Sequence, residues 1–308
     1  MAGLGYEIFA SSALVSLGFY HLISTTRNYL KSPQSYSAKP FHPLTLASSS
    51  HFLKHLELYL LILCLLIAFA HQLLVSFDPD PLLKGHTPVH RLTSLQSAAV
   101  FFLFLLLSLS LLLSDSHSAL LPLPSDLLFA LASGLFFLQY SVSSSAASVQ
   151  TSDLQARCDS ISARVSALAA LLCLLLACRP KLFVADVCLG AAMCLQGLWV
   201  LQTGLSLYVD AFIPEGCHRL LDVVSGVEGS TKCELEDSKL RAVAILDLVF
   251  LVHVMFVLLI VVVTYAAVAK TLGIRRSLGS YQALPTTASL ADNNNNHIQM
   301  KALTGTQA

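Results

Sequence analysis

Seven stretches of this chain are each close to the length and apolarity needed to cross about 30 Å of hydrocarbon, and that repetition constrains the fold more than any other feature. They fall at residues 4–23, 56–75, 95–113, 127–142, 161–177, 182–208 and 243–268. Backbone polar groups in lipid must be satisfied within the segment itself, so each stretch reads as a helix. The fold expected is an all-α, multi-pass transmembrane bundle over residues 1–270, followed by a disordered polar tail over 271–308 with four consecutive asparagines. The fourth and fifth stretches are short and joined by the polar SSSAASVQTSDLQARCDS, so a six-span arrangement stays open here.

Composition agrees with a bilayer as the solvent: 55% of residues are hydrophobic and 12% charged, too little polar side chain to cover a soluble globule of 308 residues. The 18 basic and 18 acidic residues cancel, leaving no field that would recruit nucleic acid. No positive charge precedes the first apolar run, whose first basic residue is Arg27, so that run is expected to remain as a span. No Asn-x-Ser/Thr acceptor is present to report sidedness.

With seven spans, the first, third and fifth loops and the tail share one side and carry 10 Lys and Arg, against 8 on the other. That margin is too thin to orient the chain alone. The sixth loop adds a second cue, because Cys217 and Cys233 stand close enough in sequence to close a disulfide in an oxidising compartment. Both cues place the N-terminus outside or lumenal and the tail in the cytosol, in a plasma membrane or endomembrane. Within the tail, Tyr281 to Leu284 has the form of a tyrosine-based sorting signal.

In the sixth span, Gly190, Gly197 and Gly204 recur every seven residues and align on one face, a seam that lets another helix approach closely. Gln196, Trp199 and Gln202 share the opposite face. Lone amides are costly in hydrocarbon, and the seventh span offers Asp247 and His253. Counting inward from matched boundaries brings Gln202 level with Asp247 and Gln196 level with His253. These five residues form the candidate intramembrane cluster. They read as interhelical glue first and as a polar route second, with His253 the deepest ionisable group. His21, ending the first span, and Glu57, beginning the second, form a candidate pair at the inner edge.

His51 and His55 share a helical face at a spacing that could serve a metal but lack a further donor, and the loop with Asp78, Asp80, His86 and His90 resembles a divalent site in composition only. Phosphate loops, dinucleotide fingerprints and HExxH, CxxC or nucleophile-elbow motifs are missing from the chain. No metal and no cofactor are therefore expected. The partners expected are the lipid bilayer and membrane or cytosolic proteins.

LQGLWVLQTG together with the histidine of LVHVMFVLLIVVVTY resembles the transmembrane protein 45 family, specifically its plant branch. Leu195, Gln196, Gly197, Trp199, Gln202, Gly204 and His253 carry the likeness, Leu56-Glu57 resembles the family's second-span glutamate, and PEGCHRLLDVV and TKCELEDSKLRAVAILDL are plant-like. The resemblance implies a multi-pass membrane protein of unknown biochemical activity, with some plant members virus- or defence-responsive. The chain departs from the family at Leu95-Gln96-Ser97 and Ser141-Val142-Ser143, where members carry histidines. A structural or regulatory membrane protein is the first reading of function. Alternatives are a transporter or channel for a small solute, ion or proton using Asp247 and His253, and a membrane-embedded metal-dependent enzyme.

Overall fold

The computed structural model describes residues 2–43, 55–77, 89–116, 121–150, 152–220 and 230–273. Among the described residues, seven long helices are formed by α1 (Ala2–Lys31), α2 (Leu56–Val75), α3 (Val89–Ser116), α4 (Ser125–Val149), α5 (Asp153–Cys178), α6 (Phe183–Tyr208) and α7 (Glu236–Thr271). All seven are long and apolar enough to cross a membrane. The six-span alternative therefore falls. The linker read as interfacial is helical over residues 143–149 and 153–160, because Ser152 caps α5 by accepting the Gln155 N–H and lets the helix start eight residues earlier than its apolar run. Upstream, Ser148 donates to the Ser145 carbonyl and so satisfies its hydroxyl within α4.

Successive helices pack in the order α2, α3, α4, α5, α6, α1, with α1 touching α2 again; α7 lies against α1, α5 and α6. The longest interfaces join α4 to α5 and α1 to α6. Glycines set the second. A methyl built on Gly197 would stand 2.8–2.9 Å from Val15 and Leu14, and one on Gly204 would stand 2.8 Å from Cβ of Glu7. From the other side, Gly18 of α1 sits against the backbone of Gly190 and Cys194. The glycine seam thus has a definite partner, α1.

The chain's two sides are visible in the loop contacts. Ala38 N–H donates to the Pro180 carbonyl, joining the first and fifth loops on what we call side A. Ser152 Oγ donates to the Thr231 carbonyl at 2.9 Å, joining the fourth and sixth on side B. The sixth loop adds an element not anticipated from sequence, a two-stranded antiparallel ribbon of β1 (Cys217–Leu220) and β2 (Ser230–Cys233). Cys217 faces Cys233 across it and the two are disulfide-bonded. Gly216, at φ +85°, supplies the left-handed residue that turns the chain into β1.

Candidate functional site: a buried polar network at the side A end

Asp186 lies in the first turn of α6 and is fully buried. The helix amino terminus favours its negative charge, but a carboxylate taken out of water still needs donors. Three elements supply them. His21 of α1 donates Nε2–H to Oδ1 at 2.7 Å, Thr25 of α1 donates its hydroxyl to Oδ2 at 3.3 Å, and Tyr36 of the first loop donates its hydroxyl to Oδ2. His21 and Thr25 are four residues apart, so one face of α1 presents both to α6, continuing the line of Gly18.

A second tier fastens the first loop. His42 Nε2 and Thr25 Oγ1 are 3.2 Å apart, and Asn28 Nδ2 and His42 Nδ1 are 3.2 Å apart. Thr25 has one hydroxyl hydrogen, already given to Asp186, so it accepts from His42 Nε2–H; an amide nitrogen only donates, so Nδ1 accepts from Asn28. His42 is consequently neutral and protonated on Nε2. Its titration fits: burial, reinforced by the neighbouring His21, lowers His42 from 6.5 to about 4. Burial, followed by the charge of Asp186, raises the Tyr36 phenol. The His42 backbone is held as well, its carbonyl accepting from Tyr20 OH at 2.8 Å and its N–H donating to Glu57 Oε2 at 3.2 Å. Tyr36 stands edge-on to both Tyr29 and Phe183, and Phe41 and Ala38 are buried. Loop residues 36–42 thus form a strap pinned across the ends of α1 and α6.

The pair expected between His21 and Glu57 is corrected by this arrangement. Glu57 is near enough for its charge to act on His21, but their hydrogen bonds go elsewhere, because His21 points along the α1–α6 seam toward a fully buried carboxylate. His55 is buried, its Nδ1 3.5 Å from Asp115 Oδ2. His51, the Asp78–His90 loop residues Asp78, Asp80 and His86, and the tail motif of Tyr281 and Leu284 lie outside the described residues, and of His90 only the backbone is described.

The five intramembrane residues are also rearranged. Trp199 is fully buried and donates Nε1–H to the Cys158 carbonyl at 3.0 Å, while its ring meets Phe250 and His253 edge-on at 5.4 and 6.2 Å. Gln196 donates to Ser162 Oγ of α5, not to His253, and Gln202 donates to Ser206 Oγ of its own helix, not to Asp247. Asp247 is gripped instead by Arg157 of α5, Nε to Oδ1 at 2.8 Å, and His253 donates Nδ1–H to the Val249 carbonyl one turn back at 2.7 Å. Depth matching picks the wrong partners because α5, whose apolar run begins at residue 161, already runs from Asp153 and brings Arg157 to α7. The glutamine face meets α5.

Asp186 was missed in the sequence although a readable signal was there: a lone acid inside an apolar run requires partners. His42 and Tyr36 carried no such signal, being polar residues in a polar loop. Among the described residues, no three histidine, cysteine or acidic side chains are grouped to hold a metal ion.

Residues 125–266, just under half of the chain, match the model of a Family of unknown function (DUF716). The matched stretch covers α4 to α6 and most of α7, including Asp186, Gln196, Trp199, Asp247 and His253. It leaves out His21, Thr25, Tyr36 and His42. No curated protein matches the chain.

Proposed function

We propose that this chain is a structural or regulatory membrane protein that acts without catalysis, through protein partners docking on side A. The observation that carries the reading is the pinned strap: loop residues 36–42 are fastened to Asp186 and Glu57 by side-chain and backbone bonds, which gives the side A end a fixed surface. The groups first considered for transport support it too, since Asp247 is paired with Arg157 and His253 with a backbone carbonyl. In this reading side A is cytosolic, and the N-terminus and disulfide ribbon are outside or lumenal, in a plasma membrane or endomembrane. The LQGLWVLQTG residues are the ground for placing the chain with the plant branch of the transmembrane protein 45 family. A part in defence or viral response rests on that resemblance.

The test has two arms. A photocrosslinker at the exposed Lys39 should capture a defined polypeptide in intact cells, and Tyr36→Phe, which removes the strap's bond to Asp186, should weaken that adduct. Purified protein in sealed vesicles should give no solute flux that Asp247→Asn or His253→Leu removes. A flux lost in those variants would overturn the reading in favour of transport.

A further inference from the structure

We propose that the groove between α1, α6 and α7 at the side A end binds a membrane sterol, whose hydroxyl is held by Thr26 and Thr264. The inference concerns a lipid ligand and does not depend on the partner reading.

The groove measures about 230 Å³, and its two levels differ in chemistry. Thr26, Phe183, Thr264 and Tyr265 line it nearer the side A ends of their helices. Leu22, Val187 and Val261 line it about one turn deeper. Hydroxyls and rings therefore stand at the mouth and branched aliphatics below. A sterol presents the same order to a bilayer, with one hydroxyl at the interface and fused rings in the hydrocarbon. Pockets that enclose a whole small ligand measure roughly 300–1,000 Å³, so this one covers part of its occupant and leaves the rest in lipid. Val262 on its wall is 65% exposed, which is the opening such an occupant needs.

The two threonines point to a ligand. Thr203 and Thr271 donate to carbonyls of their own helices, Trp199 and Val268, the usual resort of a hydroxyl in a helix. Thr26 and Thr264 do not. Among the described residues neither has a hydrogen-bond partner, although they are only 3% and 6% exposed. Such hydroxyls are costly to leave unpaired. Both border the groove, and a ligand hydroxyl can donate to one while accepting from the other.

Charge and shape select among lipids. None of the lining residues is charged. At 100° per residue, Arg27 and Lys31 of α1 and Lys270 of α7 project roughly 120–160° from the lining direction of their own helix. A phosphate headgroup thus finds no counter-charge at the mouth, whereas a neutral hydroxyl needs none. Valine is stiff at its side-chain torsion, so the walls at Val187 and Val261 are preformed. A rigid ring system loses no chain freedom on settling against them, which an acyl chain would. On α7, Val263-Thr264-Tyr265 followed by Lys270 also fits the sterol pattern of Leu or Val, then Tyr, then Lys or Arg at short spacings. That pattern is weak alone; here its tyrosine lines the groove.

The test uses the full chain in phosphatidylcholine vesicles with a cholesterol analogue bearing a diazirine on its rings and an alkyne on its tail. Irradiation should label peptides containing residues 22–26 or 261–265, and excess cholesterol should remove that label. Label elsewhere, or label that excess cholesterol does not reduce, overturns the proposal. Thr26→Val combined with Thr264→Val keeps the shape and removes both hydroxyls. The pair should weaken competition by cholesterol at least fivefold, and a wild-type competition curve overturns the hydroxyl assignment and the proposal with it. Cholesteryl methyl ether, which cannot donate, gives a check on the wild-type protein. It should compete at least fivefold less well than cholesterol. Equal competition by the ether, or equal displacement by a saturated diacylglycerol, overturns the proposal even if the valine variant does not fold.

Discussion

Replacing Gly18 by alanine should loosen the bundle, whereas the same replacement at Gly134 should tighten it. A methyl at Gly18 would lie 2.8 Å from the Cys194 backbone nitrogen and Sγ and 2.9 Å from the Gly190 carbonyl oxygen. Ordinary contacts of such atoms begin near about 3.5 Å, so α1 and α6 must part by roughly 0.6 Å. Two of the three obstructing atoms are backbone, which cannot rotate aside. Overpacking of this kind costs about 1–3 kcal/mol, and the better helix propensity of alanine returns about 1 kcal/mol. The net expectation is a loss of up to about 2 kcal/mol. At Gly134 of α4 nothing lies within 4 Å of the added methyl, so only the propensity gain of about 1 kcal/mol remains. Thermal unfolding of the purified variants in one detergent should move their midpoints in opposite directions by a few degrees. A Gly18→Ala protein stabilised as much as Gly134→Ala would show that the seam is not the close contact described.

Asp186→Ala would leave three donors, from His21, Thr25 and Tyr36, facing no acceptor, and should cost about 3–5 kcal/mol in detergent stability, more than Asp186→Asn, which keeps one oxygen. His42 has a folded value of about 4 against 6.5 when free, so between those limits the unfolded chain binds more protons and stability falls as pH drops from about 6.5 to about 4. His42→Gln should flatten that part of a stability–pH profile; an unchanged slope would assign the acid sensitivity to another group. A double-mutant cycle should separate true partners from mistaken ones. Arg157→Leu with Asp247→Leu should show a coupling of about 0.5–1 kcal/mol, modest because the pair is partly exposed, whereas Gln196→Leu and His253→Leu should be additive.

What the sequence disclosed and what it withheld divide along a physical line. Seven spans could be counted because length and apolarity act locally, and the seven-residue spacing of Gly190, Gly197 and Gly204 announced a close helix contact. Which helix filled that contact was not local information, and α1 had to be seen against it. The start of α5 was hidden because Arg157 and Asp159 depress local hydropathy although a serine cap holds them in helix. Pairing by depth then chose the wrong partners for Gln196, Gln202, Asp247 and His253. The Asp186 network was half legible. A carboxyl in an apolar run demanded donors, yet those from the strap came from residues whose composition looked like any surface loop.

One face of α1 links these observations. Glu7, Ser11, Gly18, His21, Thr25 and Asn28 recur at steps of three, four or seven and so lie along one stripe, against which α6 sets Gly204, Gly197, Gly190 and Asp186. The polar ends of the stripe differ in kind. On side A each donor meets an acceptor around Asp186, and on side B Glu7 lies near enough to Asp159 for the two charges to oppose each other. Between them Leu14, Val15 and Gly18 press against Gly197, Gly190 and Cys194 with no room for a methyl group. That tight middle separates the two ends and mechanically joins them. Gly18 lies one turn from His21, so any shift of α1 on α6 at the crossing changes the distance from His21 to Asp186.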